Sequence, residues 1–128
     1  PDYQRHANGA LRIDEVFVIA PDPAQGADFL AAFADSAIKD AGKGVVKVST
    51  ARGTLGLYTP AAFNMRFPNA WPQPLGSGPC FAGFSLDVAD MQTAEALWHS
   101  AAIPFHRTGD VCWLHPDQGL GCVIALKS

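Results

Sequence analysis

Apolar and polar residues alternate along "LRIDEVFVIA" (residues 11–20), with Val16, Val18 and Ala20 on one side of the alternation and Ile13, Glu15, Phe17 and Ile19 on the other. A period of two with β-branched residues predicts a strand covered on both faces. Asp22 followed by Pro23 marks a helix start, because a carboxylate can accept from the first free N–H groups and proline is preset for the first helical position. Leu30, Phe33, Ala34, Ala37 and Ile38 then recur at helical spacing, predicting one helix that runs to Ile38 and is ended by Gly42 and Gly44. "VVKVSTARGTLGLYTP" (45–60) reads as two strands around a turn near Arg52–Gly53, stopped by Pro60.

Residues 60–79 contain five prolines and no sustained period, and read as a loop. Phe63, Met65, Phe67 and Trp71 are too apolar for a free linker, so this loop is expected to pack back onto the body. The earlier pattern then returns. "FAGFSLDVAD" (81–90) puts Phe84, Leu86 and Val88 on one strand face and Gly83, Ser85 and Asp87 on the other. Asp90 is the expected cap, Ala94, Leu97, Trp98 and Ala101 form the helical stripe, and three short strand candidates follow. A single offset of 68 residues carries Asp22 onto Asp90, Val16 onto Phe84, Val18 onto Leu86, Phe29 onto Leu97, Leu30 onto Trp98 and Ala34 onto Ala102. The unit is β-α-β-β-β written twice. One copy leaves a sheet face bare, so the two copies must pair to complete a core.

The length of 128 residues suits one such domain, with residues 1–10 as a lead-in, module one at 11–60, a connecting loop at 61–79 and module two at 80–127. Charged residues make up 16% and the net charge is −3, with no basic run, which excludes an ordinary nucleic-acid surface. No apolar run approaches the length of a membrane span, and no signal peptide is seen. Cys80, Cys112 and Cys122 form no CxxC pair and read as buried free thiols of a cytoplasmic protein.

"VFVIAPDP", "GFSLDVADM", the "LYTP" stop and "HPDQGLGCVIAL", set in paired βαβββ modules, resemble the vicinal oxygen chelate superfamily. Within it the chain is most similar to the glyoxalase-like domains, relatives of glyoxalase I, bleomycin-resistance proteins and extradiol dioxygenases. The resemblance implies an α+β fold whose two modules form a half-open, barrel-like curved sheet around a cavity, with helices outside. It also implies that pairing between chains can build a homodimer. "HANGALRIDEV" is similar to the start of a C-terminal half in longer tandem members, so an N-terminal domain is expected to precede this one. Catalytic members hold a divalent metal (Fe, Mn, Ni or Zn) with a His or Glu in the first strand of a module and a Glu near the last. Those positions match Glu15, Gly83 and Ala125, while "TLGLY" (54–58) offers no carboxylate in any register. One carboxylate alone does not hold a transition metal, so no metal cofactor is expected.

Three readings of function follow, the last being a structural or dimerisation module with a filled interior. The first is a domain that binds a small organic molecule in its cavity without the usual metal. The second is a metal-dependent lyase, isomerase or dioxygenase with an atypical or partner-completed site. In either of these two, Glu15 is the candidate catalytic group, partly desolvated among aromatics, and Phe17, Ser85, Asp87 and Trp113 are candidate ligand contacts. Arg66 reads as a solvent-exposed loop residue that could neutralise an anion, and His106 and His115 as histidines that a hairpin could bring together.

Overall fold

A computed structural model describes residues 5–71 and 77–128. Pro72 and Pro74 of the predicted loop lie outside the described residues. The chain order is β1 (Ala10–Ile19), α1 (Pro23–Ala34), β2 (Ile38–Gly42), β3 (Val45–Thr50), β4 (Gly53–Tyr58), α2 (Pro60–Arg66), β5 (Cys80–Val88), α3 (Met91–Ser100), β6 (His106–Thr108), β7 (Val111–Leu114) and β8 (Val123–Lys127). Leaving α2 aside, this is β-α-β-β-β twice. The strands form one open, mixed sheet in the order β2-β3-β4-β1-β5-β8-β7-β6, so the second module mirrors the first about the β1–β5 seam. Within each module the first and last strands pair in parallel, and the modules join by an antiparallel pair. No helix among the described residues is long and apolar enough to cross a membrane.

The caps obey the 68-residue offset. Asp22 accepts from the Gln25 N–H and Asp90 from the Gln92 N–H, each opening its module's helix. The strand faces also follow the alternation: Glu15, Phe17 and Ile19 point to one buried side, while Val18 packs with α1 on the other.

Two predicted elements are corrected. The first helix does not continue to Ile38. It ends at Ala34, where Asp35 turns left-handed (φ 47°), and Ile38 opens β2. Gly42 and Gly44, with Lys43 between them, make the positive-φ turn of the β2–β3 hairpin and cap no helix. Backbone groups at the open edge of β3 pair with this segment, which outweighs its helical spacing. The buried face of α1 is accordingly Pro23, Ala27 and Ala31, while Phe33 is 84% exposed. Small residues at the contact let α1 approach closely: a Cβ on Gly26 would stand 3.0 Å from Leu57 Cδ2.

The second correction concerns the predicted loop. Thr59 caps α2 through its hydroxyl, which accepts from Ala62 N–H, and Pro60 occupies the first turn. The proline read as a stop therefore also starts a helix. α2 sits on the face of the sheet opposite α1, with Phe63 and Phe67 fully buried against Phe17, whereas Met65 is exposed.

Candidate functional site: a buried carboxylate at the module seam

β1 and β5 pair Glu15 with Ser85 and Phe17 with Gly83. The 68-residue offset carries Glu15 onto Gly83 and Phe17 onto Ser85, so the two pairs exchange under it. The seam is thus the two-fold axis of the repeat. Across β1–β4, Phe17 faces Gly56; its counterpart Ser85 faces Ala125 across β5–β8. Register therefore supplies the fourth position that sequence left open. Glu15, Gly83, Gly56 and Ala125 surround one axis.

Only the first of these carries a functional group, and its neighbours' lack of side chains shapes it. A Cβ on Gly56 would lie 2.1 Å from Glu15 Oε1, so the carboxylate occupies the space above that glycine. At Gly83 a Cβ would lie 2.1 Å from the Val123 carbonyl oxygen, and φ is +153°. The backbone of β8 closes that position to any side chain.

Glu15 is 3% exposed and fully engaged. Tyr58 Oη donates to Oε1 at 2.5 Å. Oε2 accepts from Arg66 Nη1 at 3.1 Å and Lys47 Nζ at 3.3 Å, and Arg66 Nη1 also contacts Tyr58 Oη. Burial is the main cause that pushes the Tyr58 phenol well above its ordinary range, with the Glu15 charge adding to it and Arg66 opposing it. Tyr58 therefore keeps its proton and donates a hydrogen bond to the carboxylate. The guanidinium of Arg66 also lies over the rings of Phe17, Tyr58 and Phe67, 4.9–5.6 Å from their centroids. Local sequence explains this convergence. Lys47 and Tyr58 alternate onto the inner face of β3 and β4, and the Thr59-Pro60 start turns α2 back so that its last residue, Arg66, returns over Tyr58.

The predicted site residues divide. Glu15, Phe17 and Ser85 come together at the seam, and Trp113 joins the same aromatic cluster through Phe67. Phe17 and Trp113 are nearly fully buried, and the Trp113 indole N–H donates to Thr108 Oγ1. Both are walls of a packed core. Asp87 is drawn away: Arg12 Nε donates to it at 2.6 Å near the end of the seam. Arg66 is corrected from an exposed loop residue to a partly buried partner of Glu15, because the segment carrying it is helical. His106 stacks on Trp113, while His115 contacts the Asn69 carbonyl and Asp117, so each is engaged separately. Lys47 and Tyr58 were missed, although their alternation with Gly56 was visible in the strands; what was invisible was which strand lies beside β1. Ser85 Oγ is buried and has no hydrogen-bond partner among the described residues. A hydroxyl left so costs about 1–3 kcal/mol.

This donor set does not suit a divalent metal. The lone carboxylate already serves two cations and a phenol, and the other three positions on the axis are two glycines and an alanine. Among the described residues, no three His, Cys, Asp or Glu side chains come together as a ligand group.

No protein-family model matches this chain, and no curated protein matches it in sequence. Solved structures do share its fold. Methylmalonyl-CoA epimerase from Mycobacterium tuberculosis is similar with a TM-score of 0.62 at 13% identity, covering 95% of this chain and 90% of that one. A Se-Met methylmalonyl-CoA epimerase gives 0.64 at 13% identity, with 91% and 94% covered. A variant of the Streptomyces coelicolor enzyme in complex with 2-nitronate-propionyl-CoA gives 0.61 at 17% identity, with 91% and 96% covered. At these identities the matches show a shared fold, and that fold is of the α+β, curved-sheet kind that the resemblance read from the sequence implies.

Proposed function

We propose that this chain binds a small anionic organic molecule at the inner face of the seam, without a metal. The observation that carries this reading is the charge balance: two cations, Lys47 and Arg66, converge on the single carboxylate of Glu15. Their side chains are 35% and 29% exposed, so the excess positive charge reaches solvent while Glu15 does not. An anion would meet Lys47 and Arg66 from the open side, while the Ser85 hydroxyl, without a partner among the described residues, lies opposite Glu15 across the β1–β5 pair. Glu15 is then a positioning carboxylate that holds Arg66, Lys47 and Tyr58. To act as a general base it would first have to release all three. The three free cysteines agree with a cytoplasmic setting.

The first molecules to try are 2-nitronate-propionyl-CoA, from the Streptomyces coelicolor complex, and methylmalonyl-CoA, held by a methylmalonyl-CoA epimerase of similar fold (TM-score 0.59, 16% identity). Calorimetric titration is expected to give saturable binding that weakens about tenfold or more in Arg66→Met, the size of a lost charge-assisted contact. Equal affinity in Arg66→Met overturns the reading. Elemental analysis of protein purified without chelators tests the metal-free part. Stoichiometric Fe, Mn, Ni or Zn would overturn it in favour of the metal-dependent lyase, isomerase or dioxygenase.

A further inference from the structure

The face of the sheet opposite the seam site differs between the modules. In module one, α1 lies hard on the sheet: Ala27, Ala31, Val48 and Leu57 form a buried cluster with Val18 and Leu30 packed against it. The offset carries the inward residues Pro23, Ala27 and Ala31 of α1 onto Met91, Glu95 and His99 of α3. These cannot seat a helix as closely. Glu95 instead turns to the Cys112 thiol and Arg107, and of the α3 residues only Ala94 is buried. Gly26, whose missing Cβ lets α1 touch Leu57, becomes Ala94. His99 is exposed, and Met91 and Trp98 pack beside Ala94 against Val88 and Leu126 in place of the small residues of α1; a cavity of about 240 Å³ remains between α3 and the strands.

Its walls are apolar: Phe84, Leu86, Trp98, Ile124 and Leu126 line it, with Leu97, 40% exposed, at its edge. The lead-in closes one end, since Gly9 O accepts from Ala89 N–H and Asn8 is the one polar residue of the lining among the described residues. No charged side chain among the described residues lines it. In module one the matching space under α1 is filled by that buried cluster, and the cleft of about 130 Å³ beside β1 and β4 has no α1 residue in its lining, which includes Asp14, Thr50, Arg52 and Thr54. A dry cavity of roughly 150 Å³ with Leu, Ile and Phe walls is large enough for benzene. A site without charge and with one amide excludes ions and selects by shape and apolar surface.

We infer that the space between α3 and the β5–β8–β7 sheet is a second ligand site, which takes a small uncharged apolar molecule of the size of one or two fused rings. It is separate from the seam site, which lies on the other face of the sheet and is built from charged groups.

The test is a titration of the full chain with benzene and with indole, followed by two-dimensional amide NMR. Saturable shifts confined to α3, β5 and β8 are expected for both. Leu86→Trp, which fills the cavity, should weaken binding at least tenfold, and Leu97→Trp at the rim should do so without touching the buried walls, in case the first variant does not fold. Phe33→Ala, at an exposed apolar residue of the other helix, should leave binding unchanged. No saturable binding up to the solubility limit, shifts centred on Phe29 and Phe33, or equal affinity in a folded filled variant would each overturn the inference. So would a dimer, seen by sedimentation, that Leu97→Arg dissociates, because a second copy would then cover the site.

Discussion

The two modules share a topology and a register but place their irregularities on opposite faces of the sheet. Module one concentrates charge on the inner face, where Glu15, Lys47 and Tyr58 meet Arg66 of α2, and closes its outer face under α1. Module two puts Gly83, Ser85 and Ala125 at the matching inner positions and leaves a cavity on its outer face under α3. The difference arises from a few side-chain volumes. An absent Cβ at Gly56 makes room for a carboxylate, and an added one at Ala94, with larger neighbours at Met91 and Glu95, keeps a helix from closing. A duplicated scaffold can thus divide its tasks between faces without changing its hydrogen-bond ladder.

Exchanging the residues at the mirrored positions should break this asymmetry most strongly at the inner face. Gly56→Ala would drive a methyl into Glu15 Oε1 and to within 2.7 Å of Tyr58 Cε2. It is expected to destabilise by about 2–3 kcal/mol in urea unfolding, the range for overpacking a filled interior. The mirror change, Ala125→Gly, meets no such group and is expected to cost only ~1 kcal/mol. Equal effects would mean that the Glu15 cluster is looser than its geometry.

The next largest effect is a pH dependence carried by module one. The folded state raises the Tyr58 phenol above its unfolded value near 10. Its contribution is therefore fully present below pH 10 and is lost as pH rises, because the unfolded chain releases the proton first, with a limiting slope of ~1.4 kcal/mol per pH unit. Chemical denaturation between pH 8 and 11 should show stability falling toward the alkaline end, and Tyr58→Phe should flatten the fall above pH 10. Cys112 in module two acts in the same sense at lower pH: burial, then its contact with Glu95, pushes its thiol from 9.0 to about 11. A Tyr58→Phe profile parallel to that of the parent would separate the phenol from the effect.

The smallest expected effect compares the helices. Ala94→Gly should cost about 1 kcal/mol, the ordinary difference between these residues inside a helix. Gly26→Ala should not return that amount, because its new Cβ presses on Leu57, which is 1% exposed and cannot easily yield. A thermal unfolding pair resolves this. A gain near 1 kcal/mol from Gly26→Ala would show that α1 has slack against the sheet.

Much of the architecture was legible in order. The strand alternations at 11–20 and 81–90 and the two Asp caps all agree with the structure, since each depends on neighbours within a few residues. Misreadings arose where a local pattern served two structures. Leu30 to Ile38 has helical spacing, yet Ile38 joins an open strand edge; the proline-rich segment after Tyr58 begins with a capped helix. At the site, Glu15 stood out because a charged residue interrupts an apolar strand face, whereas Tyr58, Lys47 and Arg66 gave no comparable signal.

The sequence by itself determined the repeat, the paired βαβββ modules, the position of Glu15 on the inner face and the scarcity of metal-binding side chains around it. Alternation, capping and residue identity are local properties, so they can be read along the chain. Tertiary structure decided the partners: which strand lies beside β1, that the space above Gly56 receives the carboxylate, that α2 returns Arg66 over Tyr58, and that α3 stands off where α1 closes. Those outcomes depend on distances between residues from 8 positions apart (Tyr58 and Arg66) to 70 (Glu15 and Ser85), set by register and side-chain volume once the sheet has formed.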